Sequence, residues 1–133
     1  MQGEVVRKGI MDNSKKILVV EDNDFVRMQI CKFLTDEAYE VQECMDGEAA
    51  LSAISNEINL AVVDVRMEPM NGFDFIRTIR GEDVATPIIL VTGDESPDLL
   101  EEAGKLGVLA VLKKPIQKER LIKIVSRTLG VER

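Results

Sequence analysis

Asn59-Leu-Ala-Val-Val-Asp-Val-Arg-Met-Glu-Pro-Met-Asn-Gly72 is the stretch whose reading decides the fold. Leu60 to Val63 form an unbroken apolar run, the character of a strand buried on both faces. Asp64 stands where the run stops. A turn-rich loop follows, and Asn71-Gly72 closes it ahead of a helix carrying Phe73, Ile76 and Ile79, with Phe75, and ending near Gly81. Working outward, three other apolar runs also end in polar residues. Ile17-Leu-Val-Val20 meets Glu21-Asp22, Ile88-Ile-Leu-Val91 meets Thr92, and Val108 to Leu112 meets Lys113-Lys114-Pro115. A lone Asp at a strand end is usually a turn or cap residue. Several strands ending in acids, a hydroxyl and a lysine point instead to a site, because open parallel α/β sheets bind ligands beyond the carboxyl ends of their strands.

The remaining chain supplies the helices that such a sheet needs. Residues 1–14 show no periodicity and read as a flexible N-terminal leader, and residues 16–20 are the first strand. Asn23 or Asp24 can cap a helix whose apolar positions Val26, Ile30, Phe33 and Leu34 follow 3.6-residue spacing. Tyr39 to Glu43 alternates as a second strand, and Asp46-Gly47 opens a helix with Ala49, Ala50, Leu51 and Ile54. Thr86-Pro87 leads into the fourth strand, since Pro is tolerated at a strand's first residue. Ser96-Pro97 pairs a cap with Pro at the first helical position, and Gly107 suits the left-handed position that ends that helix. A last helix carries Leu121, Ile122, Val125 and Leu129. Strands and helices alternate five times over short connections, which predicts a single α/β domain over 15–133 with a parallel sheet covered on both faces. There is no internal repeat and no low-complexity tract.

Composition narrows the function classes. The chain has 133 residues, enough for one continuous core. Its formal net charge of −7 is the wrong sign for direct binding of bare nucleic acid, where neutralised phosphates supply most of the affinity. The absence of histidine excludes His acid–base chemistry, His-ligated metals and an internal phosphohistidine. Cys31 and Cys44 form no CxxC pair and read as reduced, packed thiols. No apolar run approaches the ~20 residues of a membrane span, so a cytoplasmic location with no membrane contact is expected.

Glu21, Asp22 and Asp64 would converge at adjacent strand ends. Carboxylates that close resist joint ionisation, and a hard divalent cation relieves the repulsion. A few carboxylates completed by water and substrate phosphate suit Mg²⁺, and Lys114 adds a second positive charge. An Asp carboxylate is an established type of nucleophile in phosphoryl transfer, a reaction catalysed mainly by positioning and charge stabilisation. Thr92 offers a hydroxyl to a phosphoryl oxygen, and Gly93 leaves room for close backbone approach.

These residues resemble the receiver domains of two-component response regulators. The likeness runs from Lys15 to the C-terminus and rests on Val20-Glu-Asp-Asn23, Asp64, the Met67 to Gly72 loop, Val91-Thr-Gly93 and Lys113-Lys-Pro115. It implies a doubly wound (βα)5 domain of the flavodoxin-like, CheY-like type, with a five-stranded parallel sheet in the order 2-1-3-4-5. It implies that Asp64 is the phosphoacceptor, served by a histidine kinase or a histidine phosphotransfer protein. Asp22 would ligate Mg²⁺ directly, Glu21 through water, and Asp64 and the Arg66 backbone carbonyl would complete the protein's ligands. Thr92 would be the switch hydroxyl, Lys114 the phosphate-binding lysine, and the bond to Pro115 cis. The output would be a binding switch toward an unknown partner protein, as a monomer or a weak phosphorylation-dependent dimer. No enzymatic turnover beyond self-phosphorylation and autodephosphorylation is implied.

The pattern also departs from that family. The usual Met-Pro-x-Met-Asp-Gly order reads Met67-Glu-Pro-Met-Asn-Gly72, so the proline is moved to Pro69. Val111 occupies the place of the aromatic whose rotation normally follows the threonine. Arg66 and Asp94, two residues past Asp64 and Thr92, are candidate modulators of water access, or plain surface residues. Two rival functions follow from the same residues. A phosphorylation-independent receiver-like binding module fits Val111. A Mg²⁺-dependent Asp-nucleophile phosphatase of the haloacid dehalogenase type fits Asp64, but would want an acid where Arg66 stands.

Overall fold

The computed structural model describes residues 15–130. The leader expected over residues 1–14 lies outside the described residues. Strands β1 (Lys16–Val20), β2 (Glu40–Cys44), β3 (Leu60–Asp64), β4 (Ile88–Thr92) and β5 (Ala110–Lys113) alternate with five helices. The helices are α1 (Asp24–Thr35), α2 (Gly47–Ala53), α3 (Gly72–Gly81), α4 (Pro97–Lys105) and α5 (Lys118–Leu129). All strand pairs are parallel, in the order β2-β1-β3-β4-β5. The doubly wound (βα)5 sheet of the expected order is therefore the observed one.

The period-2 geometry of strands splits the core in two. Ile17, Val19, Leu60, Val62, Ile89, Val91 and Leu112 face α1 and α5, meeting Ile30, Leu34, Leu121 and Val125. Leu18, Val20, Ala61, Val63, Ile88 and Leu90 face the other way, against Ala50 of α2, Phe75, Ile76 and Ile79 of α3, and Ala103 of α4. Every residue of β3 and β4 is buried, as central strands of a sheet covered on both faces must be. Cys31 and Cys44 belong to opposite cores, and both are free thiols. Burial pushes Cys31 up to about 11 and raises Cys44, which keeps both protonated and unreactive. Among the described residues, no helix is long and apolar enough to cross a membrane.

The helix starts lie where the capping residues predict. Asn23, Asp46, Asn71 and Ser96 each accept a hydrogen bond from a backbone N–H in the first turn. Two strand starts differ from the periodicity. β2 begins at Glu40, because the Tyr39 N–H turns back to the Leu34 carbonyl to finish α1, with Ala38 left-handed at φ 70°. β5 begins at Ala110, because Gly107 takes φ 67° and the Val108 N–H bonds back to the Ala103 carbonyl, so Val108 completes the helix end. The third helix ends at Gly81 as expected, and the left-handed residue after it is Asp83 at φ 62°.

Candidate functional site

The register of the sheet brings the sequence-predicted residues to one edge. Val20 pairs with Val63 and Asp64 with Val91, so β1, β3 and β4 end side by side. One carboxylate oxygen from each of Glu21, Asp22 and Asp64 lies within 4.8 Å of the others. Glu21 and Asp64 are buried, at 1% and 3% exposure, while Asp22 is open to solvent. Lys114 reaches in from the end of β5. Its Nζ lies 3.1 Å from Glu21 Oε1 and 3.1 Å from Asp64 Oδ1.

Lys114 is fixed at both ends. Its backbone N–H donates to the Thr92 carbonyl at 2.8 Å, which sets the start of its side chain against the tip of β4. The next peptide bond, Lys114–Pro115, is cis. Glu68–Pro69 in the loop after β3 is cis as well, a feature that the displaced proline did not reveal in the sequence.

The electrostatics of the trio follow from its burial. Glu21 is pushed up to about 7, chiefly because burial penalises its charge, with a further push from Asp64. The Asn23 N–H at Oε2 and the Lys114 ammonium pull the other way. Asp64 is raised too, by burial first and by the Asp22 charge, against the opposing pull of Lys114. Burial lowers Lys114, but the two carboxylates together outweigh that and leave it raised. A single lysine thus leaves the pocket short of positive charge. Glu21 Oε1 is fully buried with the ammonium as ion-pair partner and no well-aligned hydrogen-bond donor. An underserved buried oxygen, two nearby acids and an all-oxygen donor set fit a hard divalent cation.

Thr92 ends β4 at 1% exposure. Its hydroxyl is occupied locally, donating to the Asp94 carbonyl at 3.0 Å and accepting from the Asp94 N–H at 3.1 Å. Gly93 is exposed, and a Cβ there would meet no atom within 4 Å. The structure therefore brings Glu21, Asp22, Asp64 and Lys114 together, while the Thr92 hydroxyl is turned into its own loop. Arg66 Nη2 and Asp94 Oδ2 stand 4.0 Å apart with both side chains mostly exposed, a contact that contributes little by itself. An open cleft of about 600 Å³ beside the trio is lined by Asp22, Arg66, Met67, Glu68, Asn71 and Leu99. Val111 pairs with Leu90 and packs, half-buried, against the core that holds Leu90 and Ala103.

Two contributors escaped the sequence reading. Gly72 lies so near the end of β3 that an added Cβ would sit 2.4 Å from the Asp64 carbonyl oxygen. The dipeptide Asn71-Gly72 signals a turn, but not which backbone the glycine touches. Arg27 donates through Nη1 to the Glu21 carbonyl at 2.7 Å. Its spacing from Asp24 suggests only an ordinary pair along a helix.

Known proteins resemble this chain in sequence and fold. The family described as the response regulator receiver domain matches residues 17–126. The transcriptional regulatory protein PdtaR of Mycobacterium tuberculosis is 33% identical over 114 residues, covering 84% of this chain and 55% of that protein. The chemotaxis protein CheY of Treponema pallidum is 27% identical over 118 residues, covering 86% of this chain and 82% of its own length. Among solved structures, the chemotaxis protein CheY4 of Vibrio cholerae matches with a TM-score of 0.79 at 32% identity, covering 85% of this chain and 97% of its own. A CheY-like receiver domain protein from Methanospirillum hungatei matches with a TM-score of 0.81 at 26% identity, covering 87% and 94%. The chain thus spans about half the length of the Mycobacterium regulator, 55%.

Proposed function

This chain belongs to the response regulator receiver domain family of two-component systems, and from that premise we propose that Asp64 is its phosphoacceptor. The observation that carries the reading is the Lys114 ammonium, 3.1 Å from both Asp64 and Glu21 inside a cluster of three acids. An Asp64 carboxylate oxygen attacks the phosphorus of a phosphohistidine on a histidine kinase or phosphotransfer protein. A P–O bond forms, the P–N bond breaks, and the donor imidazole keeps the electron pair. Lys114 meets the charge that gathers on the transferred group. Glu21, Asp22, Asp64 and the Arg66 carbonyl would hold Mg²⁺, which supplies charge neutralisation for the phosphoryl oxygens.

Thr92 is the group that reads the modification. Its hydroxyl leaves the Asp94 backbone to bond a phosphoryl oxygen, and the loop toward α4 rearranges with it. Phosphorylation then shifts a two-state equilibrium that an output partner selects. With Val111 in the aromatic's place, no ring is there to follow the hydroxyl. Arg66 and Asp94 flank the mouth and tune the entry of the water that hydrolyses the acyl phosphate. The domain works as a switch in a cytoplasmic relay rather than as an enzyme acting on an external substrate.

The test uses Mg²⁺ and acetyl phosphate, followed by intact mass. An adduct of about 80 Da that Asp64→Asn abolishes is the expected result. Absence of an adduct in the wild type overturns the proposal in favour of a phosphorylation-independent binding module. Steady hydrolysis of an added phosphate ester overturns it in favour of a phosphatase.

A further inference from the structure

The Asp22 carboxylate is exposed, and among the described residues none hydrogen-bonds or ion-pairs with it. With no such partner, the position from which it reaches the other two acids is set by the backbone that carries it, the peptide joining Glu21 to Asp22. That peptide is held on one side by Arg27, whose Nη1 donates to the Glu21 carbonyl at 2.7 Å. The Glu21 N–H donates to the Cys44 carbonyl at 3.1 Å, which fastens the preceding peptide to β2.

Arg27 is itself immobilised. Its Nε donates to Glu43 Oε1 at 3.1 Å and its Nη2 to Asp24 Oδ1 at 2.6 Å, and its side chain is only 11% exposed. One planar guanidinium thus joins the tip of β1, the first residue of α1 and the edge strand β2. A lysine offers a point charge and no fork, so it cannot serve three acceptors in these directions.

We infer that Arg27 is a positioning residue for the cation site, fixing the Glu21–Asp22 peptide plane so that the Asp22 carboxylate stays beside those of Glu21 and Asp64. The inference rests on reading that cluster as a Mg²⁺ site. The sign of the effect separates it from simple electrostatics. A guanidinium near the pocket repels a cation, so removing its charge alone would tighten cation binding. Loss of a group that orients ligands weakens binding, commonly by 10–100-fold.

The experiment titrates the whole 133-residue chain with Mn²⁺, an oxygen-seeking stand-in for Mg²⁺, counting free ion by electron paramagnetic resonance. Arg27→Gln is expected to weaken binding by about tenfold or more. Arg27→Lys is expected to weaken it as well, despite its retained charge. Glu43→Gln keeps the bond to the Glu21 carbonyl and should stay close to wild type. Thermal unfolding in chelator is recorded for each variant, because a merely structural arginine would lower the melting temperature without moving the Mn²⁺ affinity. Wild-type or tighter binding by Arg27→Gln overturns the inference. If that variant does not fold, wild-type affinity in Arg27→Lys overturns it instead. Failure of the wild type to bind Mn²⁺ is a different outcome, and it overturns the reading of the pocket as a cation site.

Discussion

A Cβ placed on Gly72 would lie 2.4 Å from the carbonyl oxygen of Asp64. The first residue of α3 and the last of β3 therefore touch backbone to backbone. The Gly72 N–H also donates to the Val65 carbonyl at 2.9 Å, so the loop that leaves the acidic pocket is folded back onto its own start.

Gly72→Ala sets two effects against each other. Alanine gains up to ~1 kcal/mol of helix propensity over glycine. The obstacle is backbone rather than a flexible side chain, so overpacking of about 1–3 kcal/mol outweighs it. The variant is expected to unfold at lower denaturant and to form the acetyl phosphate adduct more slowly. Wild-type stability together with a wild-type adduct rate would remove the claim that Gly72 sets the Asp64 backbone.

Glu21→Gln should stabilise the metal-free protein at alkaline pH. The folded carboxyl titrates at about 7 against an ordinary 4.5, so between those values the folded state holds the extra proton. Wild-type stability then falls as pH rises through that window. Glutamine carries no such charge, and the gain over wild type should be on the order of 1–3 kcal/mol at pH 8. It should fade as pH drops toward 4.5. Urea titrations in chelator at both ends of the window check this, and a gain independent of pH would count against it.

Lys114→Met leaves Glu21 and Asp64 without their shared cation. Breaking a largely buried ion pair by removing one partner is costly, and here, with the lysine partly exposed, about 1–3 kcal/mol is expected. The loss should shrink at low pH, where both raised carboxyls are protonated. Adduct formation should drop sharply even where the variant is fully folded. An adduct rate equal to wild type would remove Lys114 from the chemistry.

Thr92→Val keeps the shape of the strand end and deletes both bonds to Asp94. The expected stability loss is about 1 kcal/mol, and Asp64 should still be modified. What should disappear is the response of the loop to modification. Amide NMR shifts over residues 93–99, recorded with Mg²⁺ and acetyl phosphate, should be much smaller than in wild type. An unchanged shift pattern would sink the assignment of Thr92 as the reader.

The architecture was legible because its cues are local. Short apolar runs ending in Glu21-Asp22, Asp64, Thr92 and Lys113-Lys114 mark strands and the edge where they deliver side chains. Asn23, Asp46, Asn71 and Ser96 announce helix starts by chemistry that acts within one turn. What stayed hidden depends on partners distant in sequence or on local conformation that composition leaves open. Arg27 needs both the β1–β2 pairing and the position of α1 before its three acceptors converge. Ala38 adopts the left-handed turn that glycine usually marks. The Thr92 hydroxyl bonds the Asp94 backbone, a turn two residues long that no periodicity signals.

The raised titration of Glu21 gives the pocket a further property. A buried carboxyl pushed up to about 7 makes the site a proton buffer near neutral pH. A divalent cation bound as proposed would displace a fraction of a proton along with water. Binding is therefore an exchange of one ion for another. The heat of such binding would depend on the ionisation enthalpy of the buffer, and a drop in pH would weaken it by protonating Glu21, one of the carboxylates proposed to hold the cation.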